Sequence, residues 1–256
     1  MLKNLSMAAV GLASTASGAS AGPTAKAPTT VVLVHGAFAD GSSWDKVTPS
    51  LEAKGFRVVA VYDPMSSLAD DVAATTRVIE AQPGPVILVG HSYGGAVITE
   101  AGNDPKVAAL VYVAAFVPDA GESVNDLGKG HPAPPWVKKL VVDRGGFASL
   151  PADVVASDFA QDLPAADARL LAAKQGPIAA RCFDDKITTA AWHAKPSWYV
   201  RAEADHMIDP EAQAFMAKRA GAKLTSVKGS HVIMLSRPAE VTAAILAAAA
   251  AVSHSS

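Results

Sequence analysis

Short apolar runs alternate with amphipathic segments along most of the chain. The runs are continuously apolar, which is typical of strands buried on both faces of a parallel sheet. Residues between them carry apolar positions at helical spacing, and parallel strands need such helical connections. We expect about six mostly parallel strands with helices on both faces. The predicted strands lie at 29–34, 57–62, 85–89, 107–117, 197–204 and 223–227.

Polar residues mark the expected starts of three helices. Ser43 predicts the N-cap of a helix that carries Trp44 on its buried face. Ser67 and Asp209 predict the N-caps of two further helices, and a closing helix is expected over 238–252.

The alternation stops at 119–196, a segment that contains seven prolines and no clear strand. Such a length is too great for a simple connection between two elements. We therefore expect a helical cap over 119–196, inserted into a core formed by 29–118 and 197–252.

The amino terminus differs from the rest of the chain. Lys3 precedes a weakly apolar stretch, and Ala19-Ser20-Ala21 fits a small-x-small cleavage site. Residues 1–21 therefore predict a signal peptide and a secreted or periplasmic protein. A disordered tail on a cytoplasmic protein is the alternative.

Composition narrows the range of partners. The chain has 256 residues, half of them apolar, which suits one large domain with a buried core. Its net charge of −2 arises without long runs of either sign, so neither nucleic acid nor an anionic membrane is an expected partner. Cys182 is the single cysteine, and the histidines show no metal-ligand spacing, so we expect no metal site.

A Gly-x-Ser-x-Gly motif carries the candidate chemistry. It spans Gly90 to Gly94, directly after a predicted strand and before a predicted helix. That context predicts a nucleophile elbow, a sharp turn that exposes the serine hydroxyl. Ser92 is therefore the candidate nucleophile.

A serine nucleophile needs a base and an acid. His231 follows the last predicted strand and is the candidate base, because an imidazole can take the hydroxyl proton. Asp205 ends the preceding strand and is the favoured acid, since a carboxylate must orient the imidazole. Glu203 and Asp119 remain alternatives for the acid.

The same loops supply candidates for an oxyanion hole and a substrate pocket. Backbone N–H groups of Tyr93 and Ala37 are the expected oxyanion donors. Phe38, Met234 and Trp136 are the expected substrate-contacting side chains, because binding pockets are mostly apolar.

Three motifs together resemble the α/β-hydrolase superfamily. They are His35-Gly36-Ala37-Phe38 with Asp40-Gly41-Ser42-Ser43-Trp44, Gly90-His91-Ser92-Tyr93-Gly94-Gly95, and Gly229-Ser230-His231. The resemblance runs over about 31–252 and is strongest to small bacterial esterases, a branch that includes plant methylesterases and hydroxynitrile lyases. It implies the α/β-hydrolase fold, a Ser92, Asp205 and His231 triad, an oxyanion hole of Ala37 and Tyr93, and no cofactor.

Two positions separate the chain from the hydroxynitrile lyases of this branch. Those enzymes have a lysine after the catalytic histidine and a threonine before the oxyanion-hole residue, where this chain has Val232 and Gly36. We therefore expect a serine hydrolase that cleaves a small, largely apolar carboxylic ester through an acyl-enzyme. The alternatives are a carbon–carbon bond lyase or hydrolase, a cofactor-free oxygenase, and a small-molecule-binding receptor-like module.

Overall fold

The computed structural model describes residues 29–129 and 133–253 and confirms the predicted α/β fold. The strands are β1 (Thr30–Val34), β2 (Arg57–Ala60), β3 (Val86–His91), β4 (Val107–Val113), β5 (Val141–Val142), β6 (Phe147–Ser149), β7 (Ile178–Ala179), β8 (Ser197–Ala202) and β9 (Lys223–Val227). Six of them are parallel and form the main sheet, in the order β2-β1-β3-β4-β8-β9. The α-helices are α1 (Thr48–Glu52), α2 (Leu68–Glu80), α3 (Gly94–Ala101), α4 (Val124–Leu127), α5 (Ala152–Val154), α6 (Ala165–Lys174), α7 (Pro210–Arg219), α8 (Ile233–Ser236) and α9 (Pro238–Ser253).

The central strands are the most deeply buried part of the molecule. In β3, Leu88 pairs with Val32 of β1 and Leu110 of β4, and all three side chains are fully buried. Helices α1 and α9 pack together on the sheet, as do α2 and α3. Covering both faces explains why these strands are continuously apolar rather than alternating.

Two of the three predicted helix caps are confirmed. The Ser67 side chain accepts a hydrogen bond from the Asp70 N–H at the start of α2, and Asp209 caps α7 through the N–H groups of Glu211 and Ala212.

The predicted cap at Ser43 is wrong. Asp40 instead caps a 3₁₀ turn, Gly41–Trp44, and α1 begins only at Thr48. Pro49 explains the break, because proline is accepted in the first turn of a helix but not in its interior.

The segment between β4 and β8 corrects the expectation of a purely helical cap. Besides α4 to α6 it contains a three-stranded antiparallel sheet, β5-β6-β7. These strands are only two or three residues long, so no alternating pattern could reveal them. Asp143 and Gly146 form the turn between β5 and β6: the Asp143 carboxylate accepts the Phe147 N–H, and Gly146 has a φ of 81°.

The predicted signal peptide, residues 1–21, lies outside the described residues. Within 29–129 and 133–253, no helix is long and apolar enough to cross a membrane.

Candidate active site

Ser92 lies on a sharp turn at the carboxyl end of β3. Its φ is 52°, a left-handed conformation that costs a non-glycine residue free energy and is common at functional sites. The Ser92 carbonyl accepts hydrogen bonds from the N–H groups of Gly95 (2.9 Å) and Phe116 (3.1 Å), which fix the turn. The structure therefore has the strand, turn and helix of a nucleophile elbow.

Glycine at position 36 allows the loop after β1 to approach this turn. A Cβ atom on Gly36 would lie 2.7 Å from the Ser92 Cβ and 2.9 Å from the His91 Nδ1. Distances below 3 Å are prohibitive, so any side chain at this position would displace the loop or the serine.

His231 and Asp205 form a buried pair. The His231 Nδ1–H donates to the Asp205 Oδ2 at 2.7 Å, and both side chains have 1% or less of their surface exposed. With the proton on Nδ1, the Nε2 atom of the neutral ring is a proton acceptor. His231 and Ser92 line the same cavity.

Asp205 is held in place by three further donors. Its Oδ1 accepts the N–H groups of Met207 (2.7 Å) and Ile208 (3.0 Å), and its Oδ2 also accepts the Gln213 Nε2–H (2.8 Å). Gln213 is fully buried, and its Oε1 in turn accepts the Ala202 N–H (3.0 Å). Gln213 was not predicted as a site residue, because its only sequence signal is a polar side chain four residues after the helix-capping Asp209.

The alternative acids lie elsewhere. Asp119 accepts a hydrogen bond from the His193 Nε2–H (2.8 Å) in a partly exposed pair. Glu203 is exposed, and Asp209 is used to cap α7. Of these carboxylates only Asp205 contacts His231.

Two backbone donors near Ser92 are unused. Ala37 and Tyr93 are buried, yet among the described residues neither N–H donates to a protein acceptor. Buried N–H groups are rarely left without an acceptor in proteins. We therefore infer that the N–H groups of Ala37 and Tyr93 are available to an oxygen of a bound ligand. The Tyr93 side chain is fully buried, and its hydroxyl donates to Asp71 (2.8 Å).

His91 supports the candidate base from the core. Its Nε2–H donates to the His231 carbonyl (3.0 Å), and the two ring centroids are 4.7 Å apart. Burial, followed by the proximity of His231, holds the pKa of His91 well below its usual range. His91 is therefore a neutral scaffold residue.

One cavity of about 760 Å³ connects the site to the cap. Ser92, His231 and Ala37 line it, together with largely apolar side chains from core and cap. The apolar walls include Phe38, Phe116, Leu127, Trp136, Phe159 and Phe183.

Two of the three predicted substrate-contacting residues line this cavity. The rings of Phe38 and Trp136 lie edge to face, with centroids 6.5 Å apart. Met234 does not match its prediction, because it is fully buried on α8 and does not line the cavity. The short helix that follows His231 turns Met234 into the core, a change of direction that sequence proximity could not reveal.

The described part of the chain has no group of three His, Cys, Asp or Glu side chains arranged to hold a metal ion. Burial raises the pKa of the Cys182 thiol to about 12, so this residue is protonated and is a poor nucleophile at neutral pH.

Comparison with known proteins identifies the family to which this chain belongs. The profile described as "Alpha/beta hydrolase family" matches residues 31–245. A carbendazim-hydrolyzing esterase from Nocardioides sp. (strain SG-4G) is 33% identical over 172 residues, covering 62% of this chain and 69% of that protein. Methylesterase 1 of Arabidopsis thaliana is 32% identical over 126 residues, covering 41% of this chain and 48% of that protein.

Solved structures agree on the fold. A pyrethroid hydrolase from Sphingobium faniae JZ-2 superposes with a TM-score of 0.73 at 23% identity, covering 85% of this chain and 96% of that one. The chain therefore belongs to the alpha/beta hydrolase family and is related to bacterial esterases and plant methylesterases.

Proposed function

We propose that this protein is a serine carboxylesterase that cleaves a small, largely apolar ester through an acyl-enzyme on Ser92. One observation carries the proposal: His231, which is paired with the buried Asp205, lines one largely apolar cavity together with the left-handed Ser92. The esterase names of the bacterial and plant relatives support the same reaction class.

In the acylation step, the Ser92 Oγ forms a bond to the carbonyl carbon of the ester. His231 Nε2 takes the hydroxyl proton during the attack. Asp205 stabilises the resulting imidazolium through its 2.7 Å bond to Nδ1. When the tetrahedral intermediate collapses, the carbon–oxygen bond to the alcohol breaks and the Nε2 proton passes to the leaving oxygen.

Deacylation repeats these steps with water. His231 takes a proton from water, the water oxygen attacks the acyl carbon, and the bond to Ser92 breaks as its Oγ regains the proton. No group outside this chain, the ester and water is needed to balance the reaction.

The negative charge that develops on the carbonyl oxygen needs preorganised donors. The unused N–H groups of Ala37 and Tyr93 fill this role in our proposal. Loss of one such donor typically costs about 3 to 4 kcal/mol of transition-state stabilisation.

The cavity sets the expected substrate class. A volume of about 760 Å³ accommodates a small molecule, and its apolar walls favour an ester with little charge. The related hydroxynitrile lyases, which cleave cyanohydrins, have a lysine after the catalytic histidine. This chain has Val232 there, and the buried, uncharged side chain cannot supply that cation.

Covalent labelling tests the nucleophile directly. A fluorophosphonate should add once to the intact protein, on Ser92, and the Ser92→Ala variant should remain unlabelled. A panel of p-nitrophenyl esters of increasing acyl length should show turnover that is lost in the same variant. Absence of both the adduct and ester turnover would exclude the proposal.

Two further assays, combined with ester turnover, distinguish an esterase from a carbon–carbon bond hydrolase and from a receptor-like module. Cleavage of diketones with no ester turnover would indicate a carbon–carbon bond hydrolase. Thermal stabilisation by small apolar ligands without multiple turnovers would indicate a receptor-like module.

A further inference from the structure

A short segment of the cap, residues 157–162, touches the loops that carry both His231 and Asp205. It begins within the π-helix Val155–Phe159 and ends shortly before α6. We call it the clamp segment.

The clamp segment contacts the His231 loop in two places. The Asp162 Oδ2 accepts the Ser230 N–H at 2.9 Å, one residue before the base. The Phe159 ring packs on the imidazole of His231, with ring centroids 5.2 Å apart. His231 is thus contacted both by the cap and by His91 of the core.

Gly229 makes the carboxylate contact possible. A Cβ atom there would lie 3.2 Å from the Asp162 Oδ2 and 2.8 Å from the Ile233 Cγ2. Partial burial opposes ionisation of Asp162, yet the hydrogen bonds from Ser230 keep the pKa of its carboxyl below the usual range. A charged acceptor therefore faces the Ser230 N–H at neutral pH, which makes this hydrogen bond strong.

The clamp segment also contacts the Asp205 loop on both sides of the acid. The Gln161 Nε2–H donates to the Ala204 carbonyl (2.6 Å), and the His206 Nδ1–H donates to the Ser157 carbonyl (3.3 Å). The two loops meet each other directly through the Ala204 N–H and the Gly229 carbonyl (3.1 Å).

We infer that the clamp segment positions the catalytic base, with Asp162 as the principal positioning residue. This inference rests on the proposed role of His231. The base must hold Nε2 within hydrogen-bond reach of the Ser92 Oγ, and its loop backbone determines where the ring lies. Small displacements are costly, because a shift of about 1 Å can reduce a rate by about 100-fold.

Three variants test the role of Asp162. Asp162→Ala removes the acceptor, Asp162→Asn keeps an amide oxygen for the Ser230 N–H, and Asp167→Ala is a matched control on exposed α6. With p-nitrophenyl acetate, Asp162→Ala should lower kcat by about tenfold or more, with KM within about twofold of the wild-type value. Asp162→Asn should restore kcat to within about threefold of wild type, and Asp167→Ala should leave it unchanged.

Two results would overturn the inference. One is a wild-type kcat in a folded Asp162→Ala protein. The other is an Asp162→Asn protein as impaired as Asp162→Ala, since the hydrogen bond would then not be the cause.

If Asp162→Ala does not fold, Gln161→Ala provides the second test. It removes only the bond to the Ala204 carbonyl and should lower kcat severalfold without raising KM. Unchanged kcat in this variant would then count against the clamp segment.

A structural readout separates this inference from the proposed function. Hydrogen–deuterium exchange of the peptide containing Ser230 should accelerate in Asp162→Ala and not in Asp167→Ala. If exchange accelerates in Asp162→Ala but the wild-type protein shows no labelling of Ser92, the structural role of Asp162 stands and the esterase proposal fails. Active wild-type enzyme with unaltered exchange and kcat in Asp162→Ala would remove the clamp alone.

Discussion

Asp71 is hydrogen-bonded to the side chain of Tyr93, a residue of the proposed oxyanion hole, and should make stability depend on pH. It is fully buried on α2, where it accepts the Tyr93 hydroxyl (2.8 Å) and the Met65 N–H (2.7 Å). Burial is the main cause that raises the pKa of its carboxyl from 3.8 to about 6, against the lowering effect of these two hydrogen bonds. The like charges of Asp70 and Asp185 add to the increase.

The sign of the effect follows from proton binding. The folded state holds the Asp71 proton more tightly than the unfolded state, so ionisation destabilises the fold as pH rises from about 4 to about 6. A pKa moved from 3.8 to about 6 corresponds to about 3 kcal/mol, fully expressed above pH 6. Asp71→Asn removes this penalty while keeping an oxygen for the Met65 N–H.

Urea denaturation at pH 4 and pH 7 measures the effect. The free energy of unfolding of Asp71→Asn, relative to wild type, should increase by up to about 3 kcal/mol between these pH values. Asp70→Asn is the control on the same turn: hydrogen bonds from Ser66 and Ser67 lower the pKa of Asp70, so its own ionisation stabilises the fold and this variant should not reproduce the increase of about 3 kcal/mol. An Asp71→Asn difference that is constant or decreases from pH 4 to pH 7 would refute the reasoning.

Three further predictions concern activity. Asp205→Asn should reduce kcat by about 10³- to 10⁴-fold, whereas the kcat of Asp119→Asn should stay within about twofold of wild type. Steady-state kinetics measures both, and a large loss in Asp119→Asn with a small one in Asp205→Asn would show that Asp119 is the acid. Gly36→Ala should reduce both Ser92 labelling and turnover by about 100-fold or more, because its Cβ would fall 2.7 Å from the Ser92 Cβ; near-wild-type labelling would contradict the close approach. Trp136→Ala should lower kcat/KM for long acyl chains more than for acetate, and an equal loss for every chain length would show that this wall does not contact the acyl group.

The sheet could be predicted because its signal is strong and local. Strands buried on both faces produce uninterrupted apolar runs such as Val86 to Val89, and helical segments separate them. The short cap strands could not be predicted in the same way, because two or three residues carry no periodicity. Their detectable signal was the turn, where Asp143-Arg144-Gly145-Gly146 follows a pair of valines.

Three residues of the candidate site could be predicted because each follows a parallel strand, and the direction of the strand fixes the edge of the sheet at which the residue lies. Ser92, Asp205 and His231 each follow a parallel strand, and the carboxyl ends of parallel strands meet at one edge of a sheet. Gln213 and Asp162 were missed because they reach the site through tertiary contacts, from the interior of α7 and from the cap. Neither type of contact leaves a local pattern.

The clamp segment contributes both to the wall of the cavity and to the position of His231. Phe159 lines the candidate substrate cavity and also packs on His231, and the Asp162 carboxylate accepts the N–H of Ser230 beside the same candidate base. A change at Phe159 should therefore alter the shape of the cavity and the position of His231 together. Trp136 lines the same cavity without contacting His231, so we expect substitutions at Trp136 to change substrate preference with less loss of rate than substitutions at Phe159.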